Sequence, residues 1–559
     1  MANARRRIRS ATFSGLVAGV VAMACTGSSA QTPAPGSEDP NNWPLFHRTA
    51  NGWRYSPLDQ INTGNVKHLH VAWVHQAGDI THGRQETPIV IDGVIYSTSA
   101  YNRVMAIDAV TGREIWRYQP KLDPTVNQIL FTAYSRGVTV AFGKVFVATL
   151  DGRGIALDQR TGKEVWSMQL TDFRNCQGCN FTSPPVVAGS VLTFGSIGGD
   201  LNTVGKIYGV EPETGRKLWM FNTIKDDPKS WPGESGKFGG GGAWMPGTYD
   251  AESDTVYYGT ANAAPDYYGK DREGDNLYTD SVVALDPKTG SLKWHRQEIE
   301  HDVWDFDSAY EVLMFKRNGK DLLVHLNKSG FVFVMDKKDG ALENVWPLND
   351  TFNFAKGIDP KTGKMIGRVD PPANKASLVC PNLQGARSWN PGAFSPKTGL
   401  WYTTPMDLCV EVTPVKEKQD PKDLLSPAFG TQGYRVAKID GRPAGRLDAR
   451  DPITGKLKWS VPFDVPSWGS VLATGGGLVF NGDPFGTVKA FDAEDGKELW
   501  SFNTGSGLRS GIVSYRANGK QYILVPSGWG SWAATLFNDT FPALANVNAA
   551  SSLIAFTVD

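Results

Sequence analysis

LDQRTGKEVW, at residues 157–166, contains a strand, a turn built on Asp and Gly, and a second strand that ends in Trp. Six further segments are variants of this unit: IDAVTGREIW (107–116), VEPETGRKLW (210–219), LDPKTGSLKW (285–294), MDKKDGALENVW (335–346), RDPITGKLKW (450–459) and FDAEDGKELW (491–500). Gly supplies a backbone conformation that other residues avoid, and Trp supplies a large apolar plate that can dock on the next unit. A unit repeated in this way decides the architecture before any other feature.

The spacing of the repeat indicates its type. The Trp residues of the first five units follow one another at intervals of 50, 53, 75 and 52 residues, and gaps of 113 and 41 residues precede the last two. The longest gap has room for a blade without the motif, around GAFSPKTGLWYTTPM (392–406). Seven marked blades and one unmarked blade predict an all-β, eight-bladed β-propeller with tryptophan-docking motifs. A β-solenoid or a run of small β domains is the alternative.

Length and charge limit the possible domain organisation and the possible classes of partner. The chain has 559 residues and a net charge of zero. Because each blade needs its neighbours to bury its faces, we expect residues 31–559 to form a single domain. The balanced charge gives no reason to expect a nucleic-acid partner or an anionic membrane surface.

The N-terminus is typical of a secretory signal. Arg5, Arg6, Arg7 and Arg9 precede the apolar run FSGLVAGVVAMA (13–24), and Ser28-Ser29-Ala30 is a suitable cleavage site. We therefore predict a signal peptide at residues 1–30 and a periplasmic protein. The apolar run is too short for a membrane anchor, and no other stretch is long enough to span a bilayer. Cleavage before Cys25, as in a lipoprotein, is the alternative.

Removal of the signal leaves four cysteines: Cys176, Cys179, Cys380 and Cys409. An even number in an exported chain predicts two disulfides, and we prefer the pairs Cys176–Cys179 and Cys380–Cys409. The segment CQGCN (176–180) lacks the His of a c-type haem motif. A redox-active CxxC is the alternative for the first pair.

Several segments carry polar and aromatic residues that the repeat does not explain. EHDVWDFDSAYE (300–311) places Asp302, Asp305 and Asp307 beside large aromatic residues, where carboxylates are costly unless they bind metal or are hydrogen-bonded. The Gly run of GGGGAW (239–244) lets the backbone approach a ligand closely. The other segments are YYGTANAAP (257–265), SIGGDLNTVG (196–205), ARSWNPGAFSP (386–396) and VPSGWGSW (525–532). Together they predict a ligand site on the propeller axis. A solvated acidic loop, Gly-rich linkers and simple turns are the structural alternatives.

In these motifs the chain resembles the quinoprotein alcohol dehydrogenases, which use pyrroloquinoline quinone (PQQ) in an eight-bladed propeller. The resemblance runs from NWPLFHRTANGWRYSPLDQINTGNVKHLHVAW (42–73) to the C-terminus, through ETPIVIDGVIY (86–96), the Trp repeats, GGGxxW, GTxN, WDxD and GGLVFNG (476–482). It implies periplasmic oxidation of a primary or secondary alcohol to an aldehyde or ketone, with PQQ and a metal ion.

The resemblance also implies a role for individual residues. Asp305 would be the general base, and Lys328 would polarise a quinone carbonyl. Trp244 would form the floor on which the quinone stacks, and Glu86, Arg136 and Thr182 would bind its polar edge. The cofactor pocket would be closed by Trp389, Asn390, Trp468 and Trp529. The metal ligands would be Asp200, Asn262, Asp305 and Asp307.

Two departures from the family pattern bear on the metal and the cofactor. FTAYSRG (131–137) has no adjacent cysteine pair, so we expect Tyr134 to cover the other face of the quinone. Asp200 stands where many relatives have a longer Glu ligand. Asp307 stands two positions after Asp305. In the family, an acidic residue at this position occurs in lanthanide-using members of one branch and in calcium-using members of others. We therefore expect calcium, with a lanthanide as the alternative.

The resemblance leaves substrate and electron acceptor as broader expectations. No CxxCH motif occurs, so we expect electrons to leave through a separate cytochrome c or another acceptor. The layout is similar to cytochrome-free, sorbose-dehydrogenase-like relatives, which implies a bulky, sugar or polycyclic alcohol such as a trichothecene toxin. A non-catalytic propeller scaffold or assembly factor is the alternative function. A glycan hydrolase, which would need paired carboxylates across the axis, is a third.

Overall fold

The computed structural model describes residues 39–128, 133–174, 180–201, 203–416, 428–531 and 535–559. Nearly all regular structure in these residues is β-strand, as the repeat predicts. Short 3-10 helices lie at Val66–His68, Ala100–Asn102, Pro124–Gln128, Ser235–Phe238 and Pro542–Asn546. Across the described part of the chain, no helix has the length and apolar character needed to cross a membrane.

Among the described residues, eight antiparallel sheets have four or five strands each, and we number them in chain order. Sheet 1 contains Ile89–Ile91, Val94–Ser99, Arg103–Asp108 and Glu114–Tyr118. Sheet 2 contains Thr139–Ala141, Lys144–Ala148, Arg153–Asp158 and Glu164–Gln169. Sheet 3 contains Val186–Ala188, Val191–Gly195, Lys206–Val210 and Lys217–Asn222. Sheet 4 contains Thr248–Asp250, Thr255–Gly259, Ser281–Leu285 and Leu292–Gln297.

The second half of the chain continues the pattern. Sheet 5 contains Val312–Arg317, Lys320–Leu326, Phe331–Asp336 and Leu342–Pro347. Sheet 6 contains Ala393–Ser395, Leu400–Thr403, Gly445–Arg450 and Leu457–Phe463. Sheet 7 contains Leu472–Thr474, Leu478–Gly482, Thr487–Asp492 and Glu498–Asn503, with Tyr55–Ser56 added parallel to the first strand. Sheet 8 contains Val513–Ala517, Lys520–Ser527, Ser552–Thr557 and His70–Gln76.

Sheet 8 corrects the position of the blade that lacks the motif. Residues 392–406 do not form a separate sheet, because their two strands pair with Gly445–Arg450 in sheet 6. The sheet without a marked Asp–Gly unit is built from both ends of the chain. In this sheet His70–Gln76 pairs antiparallel with Ser552–Thr557, so strands from near both ends of the chain lie side by side. The pairing covers the edge of Ser552–Thr557, which would otherwise be open.

The repeated turn joins neighbouring sheets. Asp108 Oδ1 accepts hydrogen bonds from the backbone N–H and hydroxyl of Thr111, both at 2.8 Å. Gly112 follows at φ +71°, where a Cβ atom would lie 2.5 Å from Cε3 of Trp73. The turn therefore needs Gly both for its backbone conformation and for the space that the indole of the previous sheet fills. The same contact recurs between Gly162 and Trp116, Gly215 and Trp166, Gly290 and Trp219, Gly340 and Trp294, Gly455 and Trp346, and Gly496 and Trp459.

The apolar cores lie between successive sheets. Val104 and Trp116 of sheet 1 pack in one cluster with Val145 and Leu157 of sheet 2. Equivalent clusters join sheets 2 and 3, 3 and 4, 5 and 6, and 6 and 7, and a larger one joins sheets 7, 8 and 1. Each fully buried aliphatic side chain contributes about 1.5–3 kcal/mol to folding. Because each sheet buries its faces only against its neighbours, the sheets depend on one another for stability.

An insertion explains the long gap in the repeat. Ser377–Val379, Leu408–Pro414 and Thr431–Lys438 form a three-stranded sheet, and Gly357–Ile358 pairs with Met365–Ile366. A disulfide joins Cys380 to Cys409, which is one of the two predicted pairs. The other pair, Cys176 and Cys179, lies outside the described residues.

Candidate active site

The candidate site is built from two kinds of loop. One kind precedes the first strand of successive sheets, and the other joins the second and third strands and carries Asp200, Asp266 and Lys328. The first strands of sheets 2, 3 and 4 lie against one another. The loops before them therefore meet at one end of the sheets. Their polar and aromatic side chains line a single cavity, together with residues of the insertion. The residues that line this cavity include Gln85, Tyr134, Arg136, Thr182, Asp200, Leu201, Trp244, Asp266, Tyr267, Asp305, Asp307, Lys328, Leu383, Trp389, Phe429, Tyr434, Arg509 and Ser531.

One side of the cavity is a guanidinium surrounded by aromatic rings. The Arg136 guanidinium carbon lies 4.8 Å from the Tyr134 and Trp244 ring centroids and 4.6 Å from that of Trp389. Nη1 of Arg136 donates to the Thr182 hydroxyl at 2.5 Å. A buried cation held among flat rings suits a planar anionic ligand, because such a ligand can stack and ion-pair at once. Phe46 packs in the same apolar cluster as Trp244 and Trp389.

The other side of the cavity is a buried lysine between two carboxylates. Nζ of Lys328 lies 2.6 Å from Oδ1 of Asp305 and 2.9 Å from Oδ2 of Asp307. The loop holds Asp305 in the left-handed backbone region, at φ +65°. Asp302 braces this loop, since its two carboxylate oxygens accept the backbone N–H groups of Trp304 and Phe306 at 3.0 and 2.9 Å.

A second group of carboxylates lies in the same cavity. Oxygen atoms of Asp200, Asp266 and Asp305 all lie within 4.8 Å of one another. Nδ2 of the buried Asn262 donates to Oδ1 of Asp266 at 2.8 Å. Oxygen ligands at this spacing are the type that hard cations such as Ca²⁺ prefer.

The electrostatics of the site show strong mutual repulsion. Burial, followed by the charge of Asp307, raises the pKa of Asp200 to about 6. Burial, then Asp200 and Asp305, raise the pKa of Asp266 well above its ordinary value. Burial also raises the pKa of Asp305, although Lys328 opposes the change. Crowded acids of this kind are stabilised when a cation binds between them.

Most of the residues that the sequence predicts for the site meet at this cavity. The predicted residues among its lining are Asp200, Arg136, Thr182, Trp244, Asp305, Asp307, Lys328 and Trp389. Asn262 reaches the carboxylate group through Asp266. Tyr134 also lines the cavity and contacts Arg136 there.

Glu86 is placed differently from the prediction. It is not among the described residues that line the cavity, and its buried carboxylate pairs with Arg84 and accepts from the Ser97 hydroxyl. The neighbouring Gln85 lines the cavity instead, and its Oε1 is buried without a hydrogen-bond partner among the described residues. Because successive side chains of an extended segment point to opposite sides, a shift of one residue exchanges these two roles.

Asn390, Trp468 and Trp529 are also absent from the described lining. The Trp468 ring centroid lies 5.9 Å from that of Trp529 and 4.8 Å from that of Phe537, so these rings pack against one another. Nδ2 of Asn390 donates to the carbonyl of Arg509 at 2.7 Å. These three residues support the lining and do not form it.

Asp307 lines the cavity beside the carboxylate group. One oxygen accepts from Lys328, and the other accepts from Trp244 Nε1 at 3.3 Å and the Asn262 backbone N–H at 3.2 Å. It does not belong to the carboxylate group within 4.8 Å, whose third member is Asp266. Asp266 was not predicted, and its one signal in the sequence is the position four residues after Asn262 in the same loop.

The donor set fits the two groups that the resemblance implies. For a planar anion such as PQQ, the cavity offers Arg136, the Trp244 ring and the unpartnered Oε1 of Gln85. For a hard cation, it offers three carboxylates beside Asn262, whose buried Oδ1 has no partner among the described residues.

Comparison with known proteins gives consistent results. The family profile described as "PQQ: Glucose/ethanol/alcohol dehydrogenase, beta-propeller domain" matches residues 43–357 and 436–523. Quinoprotein alcohol dehydrogenase PedH of Pseudomonas putida is 36% identical over 516 residues, which cover 86% of this chain and 84% of that protein. Quinoprotein ethanol dehydrogenase of Pseudomonas aeruginosa is 34% identical, over 88% of this chain and 86% of that protein. A solved europium-containing methanol dehydrogenase superposes with a TM-score of 0.86 at 29% identity, over 93% of this chain and 99% of that one.

Proposed function

The chain belongs to the PQQ-dependent quinoprotein alcohol dehydrogenases, and from that premise we propose that it oxidises a bulky primary or secondary alcohol to an aldehyde or ketone. The observation that carries the proposal is the cavity in which Arg136 and Trp244 face a buried Asp305–Lys328 pair. One wall suits a planar anionic cofactor, and the other offers a base next to the position of a substrate hydroxyl.

The residues have distinct roles in this proposal. Trp244 provides the stacking surface, Arg136 and Thr182 bind the polar edge of the cofactor, and Gln85 takes the place first assigned to Glu86. Tyr134 covers the opposite face. PQQ held by Trp244, Arg136 and Thr182 would supply the two-electron acceptor for the alcohol carbon, and a metal ion held by Asp200 and Asp305 would supply a Lewis acid.

The proton chemistry falls to Asp305. Its carboxylate takes the proton of the substrate hydroxyl, since it lies in the cavity. Lys328 holds Asp305 in place through the 2.6 Å contact and keeps a positive charge beside the reacting oxygen atoms. Phe429 and Tyr434 of the insertion add aromatic surface to the cavity wall.

The lining supports a substrate with an apolar body. Leu201, Leu383, Phe429 and Tyr434 line the cavity beside the charged groups. Polycyclic alcohols such as trichothecene toxins, and other bulky secondary alcohols, fit this lining better than sugars, which need more hydrogen-bonding partners. Two electrons then pass to a separate cytochrome c or another acceptor.

We place the protein in the periplasm. Two features support this location: the predicted signal peptide, which lies outside the described residues, and the Cys380–Cys409 disulfide. Disulfides persist in oxidising compartments.

The proposal is tested with purified mature protein that has been freed of metal. PQQ is added with Ca²⁺, with La³⁺ or with neither, and dye reduction is measured with primary, secondary, sugar and polycyclic alcohols. We expect activity only with both PQQ and metal, and highest with bulky alcohols. Asp305→Asn should abolish activity while PQQ binding persists, and the exposed Glu273→Gln serves as the control. Absence of PQQ binding under every condition would contradict the proposal.

A further inference from the structure

We infer that Asp266 is a metal ligand of this site, in the place that the sequence assigns to Asp307, and that the ligand set selects a trivalent lanthanide over calcium. The inference deepens the proposed function, because it concerns the same site. It rests on the position of Asp266, on two unpartnered buried polar groups and on the count of charges.

The first observation is the position of Asp266. Its carboxylate belongs to the group with Asp200 and Asp305, whose oxygen atoms lie within 4.8 Å of one another. Asp266 is 1% exposed, and a buried carboxylate without a cation is costly. Nδ2 of Asn262 is its one hydrogen-bonding side chain among the described residues. A single amide donor is weak compensation for a buried charge, whereas a shared cation would compensate all three acids.

The second observation is that neighbouring polar atoms lack partners. Asn262 is fully buried, and its Oδ1 accepts no hydrogen bond from the described residues. This oxygen faces the loop of Asp200, since a Cβ added to Gly199 would lie 2.1 Å from it. The Tyr267 hydroxyl is also buried, lines the cavity and has no partner among the described residues. Buried oxygen atoms are nearly always satisfied, so these two indicate a ligand between the loops.

The backbone fixes the two acids relative to each other. The Ala428 N–H donates to the Asp200 carbonyl at 2.9 Å, and the Ala428 carbonyl accepts the Asp266 N–H at 3.0 Å. Asp200 and Asp266 therefore keep their separation without help from their side chains. Such preorganisation lowers the cost of assembling a metal site.

Asp307 is excluded from the ligand set by its own contacts. Its two oxygen atoms already accept three hydrogen bonds, from Lys328, Trp244 and the Asn262 backbone. The acids Asp200, Asp266, Asp305 and Asp307 carry four negative charges, and Lys328, which contacts two of them, leaves three. A trivalent ion balances them fully and a divalent ion does not. Ligand charge count is one of the means by which oxygen sites tune cation affinity.

The test uses terbium alone, without PQQ or substrate. Tb³⁺ is titrated into metal-free full-length mature protein, and its luminescence is excited through the tryptophans, among them Trp244 in the same cavity. Competition with Ca²⁺ and La³⁺ then gives the selectivity. We expect Asp266→Asn to lower Tb³⁺ affinity at least about 10-fold, and to lower the preference for La³⁺ over Ca²⁺ as well. Asp307→Asn should lower the affinity less, and Glu273→Gln should leave it unchanged.

Equal Tb³⁺ affinity of Asp266→Asn and the unchanged protein would overturn the inference, as would a wild-type preference for Ca²⁺ over La³⁺. If the variant fails to fold, crystals of the unchanged protein soaked in Tb³⁺ provide the test. The anomalous peak should lie at bonding distance from Asp266. A Tb³⁺ ion bound by Asp307 and not by Asp266 would also overturn the inference. Tight Tb³⁺ binding in a protein that never reduces dye with PQQ would leave this inference intact and remove the proposed activity.

Discussion

Nζ of Lys328 lies 2.6 Å from Oδ1 of Asp305, and both side chains are buried. Burial alone would lower the pKa of Lys328, but Asp305 and Asp307 outweigh it and hold the pKa well above its usual range. The lysine is thus a permanent cation between two acids, and removing its charge would leave both acids uncompensated.

Lys328→Met should therefore lower the free energy of unfolding by about 3 kcal/mol, because breaking a buried ion pair leaves an isolated charge. Lys328→Arg keeps the charge and should remain closer to the unchanged protein. Denaturant unfolding of metal-free protein measures both. A Lys328→Met variant as stable as the parent would show that the pair contributes nothing.

Arg136→Lys should weaken PQQ binding about 10-fold, since the lysine keeps the charge but loses the planar contact with three rings. Quenching of tryptophan fluorescence by added PQQ measures the affinity. Arg160→Lys, an exposed substitution of the same kind, is the control. Unchanged affinity in Arg136→Lys would remove Arg136 from the cofactor site.

Gly162→Ala tests the Trp-docking contact, because the new Cβ would lie 2.5 Å from Cε3 of Trp116. Gly143→Ala is the matched control in the same sheet. Its φ of +67° is close to the +68° of Gly162, and no atom lies within 4 Å of the added Cβ. Backbone strain is thus common to both variants, and Gly162→Ala should be less stable than Gly143→Ala by about 2 kcal/mol of overpacking. Equal thermal midpoints would mean that the indole moves aside freely.

The double substitution Cys380→Ser with Cys409→Ser should lower the free energy of unfolding by about 3 kcal/mol. The disulfide closes a loop between residues 29 apart, which restricts the unfolded chain. Calorimetry with and without reductant makes the comparison. Reductant should shift the parent toward the variant and leave the variant unaffected, and a variant with the parent's midpoint would contradict the prediction.

Acid should destabilise the repeated turns. The hydroxyl and backbone N–H of Thr161 donate to Asp158 and lower the pKa of this carboxyl below its ordinary 3.8. A lowered folded-state pKa means that the stabilisation is present above the unfolded value and is lost as pH falls through the folded value. The thermal midpoints of the parent and Asp158→Asn should differ at pH 6 and converge near pH 3. If the difference between the two thermal midpoints grew as the pH fell, the predicted direction of the pH dependence would be wrong.

The repeat predicted seven sheets because each unit carries its own contact, a Gly that receives the Trp of the previous sheet. It could not locate sheet 8, since no local pattern marks a sheet made from residues 70–76 and 513–557. Residues 392–406 were mistaken for a separate blade because they contain only the first two strands of sheet 6. An insertion separates them in sequence from Gly445–Arg450, the strand with which they pair.

The site was predictable where one residue type fits one role. Trp244 and Asp305 both line the cavity, whereas Glu86 does not and its neighbour Gln85 does. Sequence alone does not show which of two neighbours faces a cavity. Asp266 was not predicted, because its proximity to Asp200, which lies 66 residues earlier and is joined to it through Ala428, arises only in the fold.

Sheet 8 also sets the order in which the protein can finish folding. Its hydrogen-bonded side chains of Gln76 and Ser552 are 476 residues apart in sequence, so one of the first strands synthesised must wait for the last. Contacts of such separation form slowly, and until they form the facing sides of sheets 7 and 1 stay uncovered. A chain that is cut or stalled before residue 552 would keep these surfaces and the unpaired strand His70–Gln76 open to other chains, which favours aggregation.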